Sequence, residues 1–256
     1  MLLPLAGRRL YYDLVGPEEG PLVCITHSLA SDGGMWAEQM PPLLQAGFRV
    51  LRIDMRGHGG SDPVAGDYTM TALSGDVAAV LEALAIPRVH YIGLSIGGMI
   101  GQALAIEHGA KLISALWSDT LPASPAGAAA AWDERMSTVR RANSLEPLAD
   151  STMERWFTDA FKPRKPGRWK EIRDTVAATT PAGYLGCSAA IMNFDFTGQL
   201  RRSAFRLLSC AAPTIRARRR PKTGGSPVWF PAGATRRSPK PAISPMSSTP
   251  RHSTGS

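Results

Sequence analysis

One stretch of the chain carries a chemical signature: Gly93-Leu94-Ser95-Ile96-Gly97, followed by Gly98. A serine hydroxyl is a weak nucleophile. It needs a base to take its proton and donors to hold the negative charge its attack creates. The G-x-S-x-G spacing supplies the steric part, because a sharp turn at the serine leaves room only for small neighbours. Gly93, Gly97 and Gly98 meet that demand. The motif alone is common, so its context matters. VHYI before it reads as a strand, and GGMIGQALAIEH after it reads as a helix, the setting of a nucleophile elbow. Such a turn lifts the Ser95 hydroxyl above the C-terminal edge of a sheet. There the Ile96 N–H, at a helix N-terminus, can donate to a developing oxyanion. The competing account is a glycine-rich turn that only packs a helix on a strand.

An oxyanion hole needs a second donor. The loop after the apolar run Leu22–Thr26 reads His27-Ser28-Leu29-Ala30-Ser31, and its Leu29 N–H is the candidate. A second polar segment runs from Asp54 to Asp62, DMRGHGGSD. It resembles a catalytic cluster, but Arg56, His58 and Asp62 are read here as organisers of a structural turn.

These residues need a scaffold that brings loops to one edge. Arg9–Val15, Leu22–Thr26, Phe48–Asp54, Val89–Gly93 and Leu112–Ser118 read as strands, the short apolar ones as strands buried on both faces. Thr69–Ala85 reads as a helix with Leu73, Val77, Val80, Leu81 and Leu84 on one face, stopped by Pro87. Gly97–Glu107 reads as a second helix rich in small residues. Strands alternating with helices imply an α/β fold with a doubly wound, mostly parallel sheet. Residues 122–197 show no strand pattern. Amphipathic stretches at Trp132–Val139, Thr152–Phe161 and Trp169–Ala178 predict a helical insertion capping a substrate pocket.

Composition bounds the rest. The chain has 256 residues, 44% hydrophobic, and no apolar run long enough for a membrane-spanning helix. Its start lacks the pattern of a secretory signal, and three cysteines make no disulfide framework, so a reduced, cytoplasmic protein is expected. The net charge of +8 is unevenly distributed. Residues 200–256 hold 12 Lys and Arg, 8 prolines and no Asp or Glu. This predicts a disordered basic arm. The expected division is 1–121 core, 122–197 cap and 198–256 basic tail, with the C-terminal strands and helices of the sheet missing or disordered.

HSLASDGGMW, RVLRIDMRGHGGSD, GLSIGGMIGQALA and the cap strings ERWFTDAF and TPAGYLGCSAAI resemble the α/β-hydrolase superfamily. More narrowly they resemble its 3-oxoadipate enol-lactonase-like branch. The resemblance runs from about residue 5 to about residue 200. It implies a parallel sheet with a helical cap and hydrolysis of a lactone or small ester without cofactor or metal. It implies Ser95 as nucleophile, Leu29 and Ile96 as oxyanion donors, and Trp132 bordering the substrate. An enol-lactone is the favoured substrate, with acyl-homoserine lactones and simple carboxylic esters as alternatives. A haloalkane dehalogenase is disfavoured, because its nucleophile would be an aspartate where Ser95 stands.

The family's acid and histidine are missing. After Gln199 the chain has no acid, and its only histidine is His252. Reading the permitted codons one nucleotide earlier supplies both. Ser209 to Ile215 then permits V-L-C-G-A-D-D, and Ala242 to Ser253 permits G-H-I-S-N-V-E-H-P-E-A-F. These are the family's acid turn and histidine loop, in one common offset. The expectation is that residues from about 200 onward are a frameshifted translation. Within the head, Asp119 stands where some α/β hydrolases keep their acid, and His27, His58 and His90 are disfavoured as bases. The competing class of function is a non-catalytic binding protein whose basic tail contacts nucleic acid. It is disfavoured, because the shifted frame explains the tail more simply.

Overall fold

The computed structural model describes residues 1–124, 126–202 and 208–210. Among these residues the sheet has strands β1 (Leu2–Leu5), β2 (Arg8–Val15), β3 (Leu22–Thr26), β4 (Arg49–Ile53), β5 (Val89–Leu94), β6 (Leu112–Ser118) and β7 (Leu208–Cys210). Their order is β1-β2-β4-β3-β5-β6-β7. The β1–β2 and β2–β4 pairs are antiparallel, and every pair from β4 to β7 is parallel. The helices are α1 (Met40–Gln45), α2 (Met70–Ala83), α3 (Ile96–Glu107), α4 (Ala129–Ala142), α5 (Glu146–Trp156), α6 (Phe161–Arg164), α7 (Pro166–Ala178), α8 (Pro181–Met192) and α9 (Thr197–Arg202).

Alternation along the central strands sends successive apolar residues to opposite faces, and both faces are covered. Val23, Ile25 and Val50 pack against Trp36, Met40, Leu43 and Leu44 on the α1 side. Cys24 and Leu51 join Leu73, Val77, Leu81, Ile100 and Leu104 on the side of α2 and α3. Thr69 caps α2 by accepting the Ala72 N–H at 3.0 Å, and Ala85, at φ 54°, turns the chain out of it. The small residues of α3 let it approach the sheet. A Cβ on Gly101 would lie 2.4 Å from the Tyr91 ring, so only glycine fits at that contact. None of the described helices is long and apolar enough to cross a membrane.

The cap helices α4, α5, α7 and α8 form a second cluster around Val139, Leu145, Ala149, Met153, Val176 and Tyr184. Helix α8 joins cap to core. The Thr180 N–H and hydroxyl both donate to the Gly57 carbonyl, at 3.1 and 2.8 Å, and the Tyr68 N–H donates to Gly186 O at 3.2 Å.

The structure departs from the sequence reading in places. The expected helix over Thr152–Phe161 breaks at Phe157, whose backbone is extended. The ring of Phe157 stacks on Phe161 at 4.2 Å between centroids and meets Trp169 at 6.0 Å. That aromatic contact outweighs helical continuity. Beyond the expected boundary at 197, α9 and β7 follow, and β7 extends the sheet beside β6. The remainder of the basic stretch, with His252 and both shifted-frame motifs apart from Ser209 and Cys210, lies outside the described residues.

Candidate active site

Ser95 stands between β5 and α3 with φ 55° and ψ −119°, a conformation costly for any residue with a side chain. Three features hold it there. Its N–H donates to Ser118 O on β6 at 2.9 Å. The Tyr91 hydroxyl, buried beneath the turn, donates to Gly97 O at 2.8 Å and meets the Thr26 hydroxyl. The flanking glycines remove every obstruction. A Cβ on Gly93 would fall 2.2 Å from Gly97 O, one on Gly97 2.7 Å from Thr26 O, and one on Gly98 2.8 Å from Thr120 Cγ2. Ser95 itself is half-buried, and among the described residues its hydroxyl has no hydrogen-bond partner.

Two N–H groups near the turn are also without partners among the described residues: those of Ile96 and Leu29. Ile96 is the first residue of α3, where the helix has no carbonyl to offer and its dipole favours negative charge. Leu29 lies in the loop that leaves β3. The loop touches the elbow directly, since a Cβ on Gly97 would lie 2.8 Å from His27 O.

The described histidines are engaged elsewhere. His27 is fully buried, with Nε2 accepting the Met55 N–H at 3.0 Å and Nδ1 against Ser28 O at 2.8 Å. Burial holds its pKa below the ordinary histidine value, against the pull of Asp54. His58, also fully buried, is lowered to about 3 by burial and by His27, and its Nδ1 lies 2.9 Å from Arg56 O. On β5, His90 pairs with the Ser114 hydroxyl at 2.9 Å. His108 ends α3, far along the helix from Ser95. Among the described residues, then, no histidine is bonded to Ser95. Asp119 follows β6 with φ 45° and is exposed. The buried thiols of Cys24 and Cys187 are no nucleophiles: burial raises both, Cys24 to about 12.

The polar turn after β4 has structural contacts. Arg56 pairs with the buried Asp76 and donates to Ala72 O at 3.2 Å, while Asp76 also binds Arg8. Asp62 binds Arg9 at 2.9 Å. A depression of about 350 Å³ lies away from the elbow, lined by residues including Tyr11, Asp13, Asp32, Arg52 and Asp54. Its carboxylates are already satisfied: Asp13 by Arg52, Asp32 by the Gly34 N–H, and Asp54 by the Gly33 and Gly60 N–H groups. Burial still pushes the Asp54 carboxyl up.

The cap brings a different chemistry. Trp132 on α4 and Leu29 are half-buried, and both pack against the core cluster and the cap cluster together. The Arg135 guanidinium sits over the Trp132 ring at 5.2 Å. Arg155 is reached by solvent, yet the surrounding cap desolvates it and Arg135 repels it, which lowers its pKa. Tyr184 lies within electrostatic reach of both guanidinium groups. Arg155 donates to the Thr152 hydroxyl at 2.9 Å. Among the described residues neither arginine has a carboxylate partner. Sequence reasoning singled out Trp132 and missed both arginines. The signal available was two cap arginines on successive amphipathic helices, and it does not reveal that they share a space. Among the described residues no group of three or more His, Cys, Asp or Glu is placed to hold a metal ion.

A parallel sheet, a strained serine between strand and helix, and a helical cap define an α/β hydrolase. The chain belongs to the α/β-hydrolase family, whose fold model matches residues 21–151. It is 32% identical over 202 residues to 3-oxoadipate enol-lactonase 2 of Acinetobacter baylyi, covering 79% of this chain and 74% of that protein. Its structure resembles the crystal structure of the enol-lactonase from Burkholderia xenovorans LB400 at a TM-score of 0.76 and 33% identity, covering 82% and 80% of the two chains. It also resembles an N-acyl homoserine lactone degrading enzyme at a TM-score of 0.60 and 26% identity, over 75% of each chain. These relatives support hydrolase activity.

Proposed function

We propose that this protein hydrolyses a small lactone or carboxylic ester that bears a carboxylate, best matched by 3-oxoadipate enol-lactone. Ser95 attacks the carbonyl carbon. The Leu29 and Ile96 N–H groups receive the oxyanion, and Trp132 borders the substrate. The observation that carries the reaction class is the strained, half-buried Ser95 with a hydroxyl and two neighbouring N–H groups unpaired among the described residues. Strain of this kind, about 1–3 kcal/mol, persists where function requires the side chain to be presented.

The observation that carries the substrate class is the arginine pair of the cap. Two guanidinium groups within electrostatic reach of one tyrosine, without a carboxylate partner among the described residues, leave positive charge that an anion can offset. A substrate carboxylate meets that need by charge-assisted hydrogen bonds. An enol-lactone with a carboxylate tail fits better than a neutral acyl-homoserine lactone, although the latter is the activity named for one structural relative. The attack also requires a base to take the Ser95 proton. None of the described histidines is bonded to Ser95, and the reading assigns the base to the shifted frame of the residues beyond 202. In the shifted frame the codons of these residues permit both a histidine loop and an acid turn.

A fluorophosphonate probe and a pair of lactones test the reading. Ser95 is expected to be the labelled residue, with labelling lost in Ser95→Ala. Turnover is expected to favour the carboxylate-bearing enol-lactone over a neutral lactone of similar size. Labelling elsewhere, or none in a chain with the shifted frame restored, rejects Ser95 as nucleophile. Equal turnover of the two lactones rejects the anionic substrate.

A further inference from the structure

The loop after β3 contains a histidine that is tied up as a base, yet its bonds fall on the peptide the chemistry needs. The Met55 N–H donates to His27 Nε2 at 3.0 Å. A backbone N–H only donates, so Nε2 must be the bare acceptor nitrogen and the ring proton sits on Nδ1. That Nδ1–H then donates to Ser28 O at 2.8 Å. The Ser28 carbonyl and the Leu29 N–H belong to one planar trans peptide and point to opposite sides. Holding the oxygen therefore sets the direction of the N–H.

Little else holds this peptide. The Ser28 N–H, in the peptide before it, donates to the Met35 thioether, a weak acceptor, at 3.2 Å. Among the described residues, Ser28 O has His27 as its hydrogen-bond partner and the Leu29 N–H has none. Directly after it Ala30 adopts φ 59°, so the chain is already turning away.

We infer that His27 is a positioning residue: its ring links the Met55 N–H to the Ser28 carbonyl and thereby aims the Leu29 N–H for an oxyanion formed at Ser95. This rests on the reading of Ser95 as nucleophile and Leu29 as donor. The ring faces His58, 5.4 Å away between centroids, and Asp54 and Asp32 are the acids within electrostatic reach. A second ring proton would sit on Nε2, opposed to the Met55 N–H, so the link exists only for the neutral ring.

Two substitutions separate the two bonds. In His27→Gln the amide oxygen reaches the Nε2 position and still accepts from Met55, but no donor remains for Ser28 O. In His27→Asn the amide nitrogen occupies the Nδ1 position and still donates to Ser28 O, while the Met55 link is lost. The full-length protein is assayed with p-nitrophenyl acetate, with thermal stability measured in parallel. His27→Gln is expected to lower kcat about 100-fold with KM within about twofold, the mark of a lost oxyanion interaction. His27→Asn is expected to recover kcat to within about fivefold, even where its Tm is the lower of the two. A purely structural role makes kcat follow Tm instead. Nitrogen-15 NMR of the histidine ring adds a readout independent of turnover, with the proton expected on Nδ1. The inference is overturned by a proton on Nε2, by His27→Gln retaining wild-type kcat, or by both variants losing kcat in step with stability. Absence of Ser95-dependent turnover both in this chain and in one with the shifted frame restored removes the nucleophile reading, and this inference with it. Turnover that is Ser95-dependent but indifferent to His27→Gln removes this inference alone.

Discussion

The Ser95 N–H donates to the Ser118 carbonyl at 2.9 Å, so the last residue of β6 pins the strained residue that follows β5. The bond closes the turn from the side, while Tyr91 supports it from below through Gly97 O. Together they hold a φ of 55° that an isolated serine would leave. With Ser95 as the proposed nucleophile, function and stability oppose each other at this position.

Ser95→Gly tests that opposition. Glycine adopts this conformation freely but has more unfolded-state entropy to lose. The net expectation is stabilisation by about 1 kcal/mol, a rise in Tm of a few degrees, with all Ser95-dependent turnover gone. Urea unfolding of both proteins measures it. A glycine variant less stable than wild type would mean that the turn is unstrained.

Much of this site was legible in the sequence because its constraints are local. Gly93, Gly97 and Gly98 are dictated by atoms within a few residues or on the adjoining strand, so the motif carries its own geometry. The boundaries Leu22–Thr26 and Leu112–Ser118 were readable for a similar reason, since a mostly apolar run of strand length between turn residues marks each of them. What was illegible depends on distant partners. Helix α8 hides its character because it is buried all round, between Gly57, Tyr68 and the cap, and so shows no amphipathic face. The break at Phe157 depends on Phe161 and Trp169 packing on it. Arg135 and Arg155 lie on different helices, and nothing in their spacing reveals that they come within electrostatic reach of one another.

That repulsion gives the second prediction. Arg135→Gln and Arg155→Gln each remove one positive charge from the cap. If the pair receives a substrate carboxylate, KM for a carboxylate-bearing lactone rises about tenfold or more in either variant. KM for a neutral ester of similar size stays within about twofold. Stability should hold steady or increase slightly, because each substitution relieves like-charge repulsion. Parallel loss with both substrates would assign the arginines to cap packing.

Acid should loosen this fold through its buried histidines. His58 has its folded pKa lowered to about 3, from an ordinary value of 6.5. As pH falls below 6.5 the unfolded chain binds a proton that the folded chain refuses. The stability contributed by the neutral ring is thus present above about pH 6.5 and lost steadily down to about pH 3, at up to about 1.4 kcal/mol per pH unit. His27, lowered by the same burial, acts in the same direction. His58→Asn keeps a donor for Arg56 O and cannot titrate. Its stability, measured by urea unfolding between pH 7 and pH 5, should fall less steeply than wild type by about 1 kcal/mol per pH unit. Equal slopes would show that His58 is not the group responsible.

The last prediction concerns the missing base. Strand β7 lies parallel to β6, with Cys210 opposite Ser118, the residue whose carbonyl binds the Ser95 N–H. A chain leaving β7 at Cys210 thus departs from the same edge of the sheet that presents Ser95. The shifted frame permits acidic codons at positions 214 and 215, four and five residues after Cys210 in sequence, with the histidine loop further on. An acid there can orient a histidine toward Ser95, whereas the written frame offers neither acid nor Gly-His loop after β7. The DNA across codons 195–256 is expected to spell V-L-C-G-A-D-D and the histidine loop in that offset. Expressing the restored frame should raise kcat by at least about 10³-fold over the written chain, whose turnover then rests on the oxyanion donors and binding alone. DNA that fails to encode these motifs, or a restored protein no faster than the written one, would place the base elsewhere.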